Sequence, residues 1–150
     1  MNKYNPDSVH KRVGYVQYIY HNTDRHPNNF ENFTFPIVVY DRNGIITAAN
    51  QDFRDISGVV PDDIHNGTVN IFDHLNDKNA GFVETAQNVF DGKERAYEGT
   101  DLLLRAEPGT TRYLQLEDYP NALLFPIARD RDGISLAGIL LDKNKTEDDT

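Results

Sequence analysis

The 150 residues carry 24 acidic against 15 basic side chains, a net charge of −9, which is the wrong sign for a surface that tracks phosphates; no nucleic-acid role is expected. The absence of cysteine removes disulfides, thiolate metal sites and cysteine nucleophiles together. No apolar run approaches the roughly 20 residues of a membrane helix, and the N-terminus MNKYNPDSVHKR lacks a signal-like apolar stretch, so one cytoplasmic domain is expected.

In sequence order the first element is a helix. From Ser8, a plausible N-cap, Val9, Arg12, Val13, Val16, Ile19 and Tyr20 recur at three- and four-residue steps, an amphipathic pattern interrupted by Gly14. Residues 21–29 are polar and aperiodic, which predicts a loop. The helix must bury its stripe either on the protein's own sheet or against a second copy, where Tyr15, Tyr18 and Tyr20 would enrich an interface in aromatics.

Pro36 to Tyr40 is β-branched and aromatic and predicts a strand. Asp41-Arg42-Asn43-Gly44 supplies an Asx-capable turn start and a glycine able to take positive φ, so Ile45 to Ala49 returns as the second strand of a hairpin. Asn50 is a good N-cap, Phe53 and Ile56 share a helical face, and Ser57-Gly58 stops the helix. Pro61 to Gly67 and Asn70 to Leu75 read as short helical turns. Lys78 to Phe90 reads as a longer helix with Phe82, Val83, Ala86 and Val89 on one face. Glu94 to Arg105 is strand-like around Leu102-Leu103-Leu104, and Glu107-Pro108-Gly109-Thr110 is a turn by composition. Thr111 to Ile127 is a long strand in which Tyr119-Pro120-Asn121 predicts a bulge or an edge position. A second D-x-x-G turn, Asp130-Arg131-Asp132-Gly133, leads into a last strand from Ile134 to Asp142.

The order apolar strand, D-x-x-G, apolar strand, Asn50, helix, Ser57-Gly58 and the acidic turn Pro61-Asp62-Asp63 resembles the start of a PAS domain, and the two closing strands around Asp130 to Gly133 resemble its end. The resemblance covers Phe35 to Asn144. It implies an α+β fold: a five-stranded antiparallel sheet with helices on one face, here preceded by the N-terminal amphipathic helix. Residues 1–34 become a cap or dimerisation element, 35–144 the sensor domain, and 145–150 an acidic tail or the start of a linker. After Asp142 the sequence departs from the family's usual D-[IV]-T ending. An excised sensor region of a larger kinase, cyclase or transcription regulator is expected, and a stand-alone protein fits the residues equally.

In such a fold a ligand lies between sheet and helices. The residues expected to line it are Phe53, Ile56, Phe72, Leu75, Phe82, Ala86, Leu102, Leu104, Arg105, Arg112, Tyr113 and Ile127, with Tyr97 nearby. An inward arginine would hold a carboxylate bidentately. Ile37, Val39, Leu136 and Leu140 are placed in the same core, although a one-residue slip would exchange them for their neighbours.

The family's cofactors narrow the choice. Without cysteine, the flavin adduct of LOV-type sites and the thioester-linked chromophore of yellow-protein-like sensors are excluded. Haem would need an axial ligand such as histidine, and the helix Lys78 to Phe90 has none; His74 just before it and the earlier His65 are poor substitutes. The cofactor is therefore unknown. His21, Asp24 and His26 read as a solvated loop, and the calcium-like start at Asp130 has Leu141 where the acidic ligand belongs. No nucleophile elbow, zinc helix, P-loop or dinucleotide turn is present, and the adjacent pairs Asp62-Asp63 and Glu117-Asp118 diverge on regular structure; the domain itself is not expected to be an enzyme. Two functions fit: a sensory domain that binds a small ligand and relays a conformational change, as a homodimer through the N-terminal helix, or a ligand-free interaction module with a filled core.

Overall fold

The computed structural model describes residues 13, 14, 17, 35–74, 80–98, 103–105, 113–115 and 121–142. Strands β1 (Ile37–Asp41), β2 (Ile46–Ala49), β3 (Arg95–Glu98), β6 (Asn121–Asp130) and β7 (Gly133–Asp142) form one antiparallel sheet in the order β2-β1-β7-β6-β3. The first and last hairpins of the sequence thus lie side by side at the centre, and the helices fall between them in sequence. These are α1 (Gln51–Ser57), α2 (Pro61–His65), α3 (Ile71–His74) and α4 (Ala80–Asn88), which tightens into a 3-10 turn at Val89–Asp91.

Within the predicted long strand Glu94 to Arg105 the described residues form two pieces, β3 and a later one. The later piece, β4 (Leu103–Arg105), pairs with β5 (Tyr113–Gln115) in a separate two-stranded ribbon. The two pairings differ in register by one residue: continuing the β3–β6 pairing would place Leu103 opposite Leu116, whereas it lies opposite Gln115. A slip of one residue exchanges the two faces of a strand, and composition does not reveal it. The predicted turn at 107–110 and the interruption at Tyr119-Pro120 lie outside the described residues; β6 begins at Asn121.

Two apolar layers flank the sheet. On the helical side, Val38, Tyr40, Leu124, Ala137 and Ile139 meet Phe53, Ile71, Phe82, Ala86 and Val89. On the opposite side Ile37, Val39, Leu123, Phe125, Ile127 and Leu140 form a second buried cluster that includes Val13. This corrects the expected face of Ile37, Val39, Ile127, Leu136 and Leu140, all of which point away from the helices. Alternation could not mark the outside because β1, β6 and β7 are apolar on both faces, as strands covered on both sides are. Val13 and Gln17, one helical turn apart, show what covers the second face at that point: Val13 is buried in the cluster and Gln17 Nε2 donates to the Pro126 carbonyl at 2.7 Å. At the centre of this face Gly138 leaves room for Phe125 and Ile127; a Cβ there would stand 2.8 Å from Ile127 Cδ1.

Candidate functional site

The interior beneath the helices is built around Tyr40. β-alternation points it inward, fully buried, and its hydroxyl donates to the Ala86 carbonyl at 2.6 Å, just before α4 tightens at Val89. Phe72 and Phe90 meet its ring edge-on at 6.1 and 5.6 Å between centroids. Burial pushes the Tyr40 hydroxyl well above its ordinary pKa, so it is a neutral donor. Tyr40→Phe keeps the rings and removes one bond, so thermal melting should show a loss of about 1 kcal/mol with no change of fold.

At the sheet end the two D-x-x-G turns are joined. Arg42 Nε donates to the Ile134 carbonyl at 2.7 Å and its Nη2 pairs with Asp130 Oδ1 at 2.6 Å. The Asp132 backbone N–H, and with it the Arg42 guanidinium, holds the Asp130 carboxyl below the usual range. The Lys93 N–H and Arg95 act likewise on Asp91, which pairs with Arg95 after α4. An open cleft of about 230 Å³ lies along the irregular stretch of β6, lined by Pro126, Ile127, Ala128, Arg129 and Ile134. Proline contributes no ladder donor there.

Asn50 joins the helical layer to the sheet. Its Oδ1 accepts from Phe53 N at 3.1 Å, the cap expected from sequence, and also from Ile37 N at 3.0 Å, while Nδ2 donates to the Phe35 carbonyl at 2.7 Å.

This architecture recurs in solved structures. The PAS domain of an HTR-like protein from Haloarcula marismortui superposes with a TM-score of 0.51 at 17% identity, covering 91% of this chain and 95% of that one. A domain of a sensory box sensor histidine kinase/response regulator from Geobacter sulfurreducens gives 0.53 at 17%, covering 83% and 96%. Cycle PAS-B of Drosophila melanogaster, with bound ethylene glycol, gives 0.53 at 9%, covering 71% and 97%. The chain has the PAS fold. No family model and no curated protein matches the sequence, so the likeness stands at the level of fold.

Within this PAS fold the expected lining residues divide. Phe53, Phe82 and Ala86 are buried in the helical-side core, and Ile56 and Phe72 pack against it half-buried. Tyr97 joins them, edge-on to Phe82 at 5.1 Å. Ile127 is excluded, because its β6 position faces the opposite cluster and the open cleft. Leu104 and Arg105 lie in β4 and Tyr113 in β5, with Arg105 opposite Tyr113 in the ribbon and not in the main sheet. Leu75, Leu102 and Arg112 lie outside the described residues. His74 ends α3, and His65 is exposed at the end of α2.

Two polar groups of this interior are committed to structure among the described residues. Ser57 Oγ donates to the Phe53 carbonyl at 2.7 Å, and Tyr40 is engaged with Ala86. Among the described residues no group of three His, Asp or Glu side chains is placed to hold a metal, and no helix is long and apolar enough to cross a membrane. Tyr40 lies outside the lining expected from sequence; the signal for it is its place two residues beyond Val38 on β1, visible once the inward face is known.

Proposed function

We propose that this protein is the sensory or regulatory domain of a signal-transduction protein, in which a small ligand or cofactor held between sheet and helices biases a conformational change passed to an output domain or a dimer partner. The observation that carries this reading is the layering itself: a five-stranded antiparallel sheet roofed on one face by short helices, with Phe53, Phe72, Phe82 and Ala86 converging beneath them. Mostly apolar interiors with a few placed polar groups suit small ligands. The fold is shared with a sensory-box domain and with a PAS-B domain whose structure holds ethylene glycol. Leu75, Leu102, Leu104, Arg105, Arg112 and Tyr113 complete the proposed lining, with either arginine as the partner for a ligand carboxylate. Residues 35–144 form the sensing unit. The N-terminal helix joins two copies into a homodimer in this reading; of that segment Val13 packs on the face of the sheet away from Phe53 and Phe82. Chemistry belongs to an output domain and not to this one.

A second reading rests on Tyr40. Its ring, with Phe72 and Phe90, occupies the interior at the β1 end and is fixed there by the Ala86 carbonyl, which favours a filled core and a ligand-free interaction module. Native mass spectrometry with a visible absorption spectrum separates the two. The sensory reading expects extra mass that denaturation removes, with a Soret or flavin band if the ligand is coloured. A bare, colourless dimer would establish the interaction module instead.

A further inference from the structure

The sequence contains two Asn-Gly pairs, Asn43-Gly44 and Asn66-Gly67, which the fold treats in opposite ways. Asn-Gly is open to a self-reaction in which the glycine nitrogen attacks the amide carbon of the asparagine side group, because glycine has no Cβ to obstruct the approach. The attack requires the intervening peptide to rotate toward that amide, so whatever holds the peptide in place slows the reaction.

At Asn43-Gly44 both residues are held. Asn43 N–H donates to Asp41 Oδ1 at 2.9 Å, and the Asn43 carbonyl accepts from Asn70 Nδ2 at 2.9 Å. Gly44 N–H donates to the Asp41 carbonyl at 2.8 Å, and the Gly44 carbonyl accepts from Ile71 N at 2.8 Å. The open side of the glycine is closed by Asn70 and Phe72.

At Asn66-Gly67 the turn is exposed. Asn66 ends α2 through its backbone alone, and its Oδ1 and Nδ2 have no hydrogen-bond partner among the described residues. Gly67 has φ +70° with open space where a Cβ would point, and its nitrogen makes one bond, to the Ile64 carbonyl at 3.0 Å. Opening that bond and the neighbouring Thr68 N–H bond to the Asp63 carbonyl frees the peptide.

We propose that Asn66-Gly67 is a site of spontaneous modification and that Asn43-Gly44 is protected by its turn. The Gly67 nitrogen forms a bond to Asn66 Cγ, the Cγ–Nδ2 bond breaks, and ammonia leaves with the proton of the attacking N–H. One water then opens the cyclic imide to aspartate or isoaspartate at position 66, with no change of oxidation state. Either product adds a carboxylate at the C-terminal end of α2, beyond Asp62 and Asp63, where the helix dipole disfavours negative charge. The isoaspartyl form also adds a backbone carbon to the turn that holds Ile64 against the core.

The intact protein incubated at mildly alkaline pH and digested with trypsin tests this, because the peptides 43–54 and 55–78 separate the two pairs. The mass change of ammonia lost and water gained should accumulate in 55–78 about tenfold faster or more than in 43–54, as expected when one site opens locally more readily. Fragment spectra should place it at position 66. In concentrated urea the two rates should converge, and Asn66→Gln should remove the product from the native protein. Equal native rates, faster change at Asn43, or change at neither pair in the native protein while both react in urea would overturn the proposal.

Discussion

Asn50→Ala is expected to cost about 3 kcal/mol, or about 10 °C in Tm, measured by thermal and urea unfolding. The asparagine is fully buried, so its three bonds are not exchanged for bonds to water on truncation. Removing it takes the cap from Phe53 N–H, the acceptor from Ile37 N–H and a donor from the Phe35 carbonyl at once. A cap alone contributes about 1 kcal/mol; the excess measures the tie between β1 and α1. Asn50→Asp separates the acceptor bonds from the donor bond. It keeps an acceptor for Phe53 and Ile37 but sets a carboxylate oxygen against the Phe35 carbonyl in a buried site, so near neutral pH it should fall with the alanine variant and not with the parent. If Asn50→Asp retains full stability, the bond to the Phe35 carbonyl is dispensable and the side-chain acceptor shared by Phe53 and Ile37 carries the tie by itself.

The second large effect is expected at Gly44. Its φ is +89°, which costs an L-residue about 1–2 kcal/mol, and a Cβ there would stand 2.5 Å from both Asn70 Oδ1 and Phe72 Cδ2. Those atoms are not free ends: Asn70 bonds the Asn43 carbonyl and Phe72 packs on Tyr40. Relief must push the start of α3 off the hairpin, so Gly44→Ala should cost about 3–4 kcal/mol in all. Gly58→Ala is the control, since Gly58 has φ +78° with nothing within 4 Å of the added carbon. It should lose only the conformational part, about 1–2 kcal/mol. Equal losses in the two variants would mean that the β1–β2 turn does not depend on its contact with Asn70 and Phe72.

Much of this architecture is legible in the sequence because the signals are local. Asn50 before Phe53 fixes where α1 begins, Gly58 where it ends, and the two D-x-x-G segments where the hairpins turn; each works through atoms a few residues apart. Phe53, Phe82 and Ala86 reach the helical-side core as expected because a helix has one apolar stripe and only one way to bury it.

The strands are different. By itself the sequence determined where the two D-x-x-G hairpins turn and where α1 starts and stops. Only the tertiary structure decided which face the helices cover, since β1 sits between two strands with apolar residues above and below. That decision exchanged Ile127 for Tyr40 in the interior. Tertiary structure alone also set the one-residue difference in register between the β3–β6 and β4–β5 pairs, and brought Arg42 to Asp130 across 88 residues. The physical reason is common to all three. Propensity and capping act between near neighbours in sequence, whereas sheet face, register and cross-turn ion pairs depend on strands that meet only when the polypeptide folds back on itself.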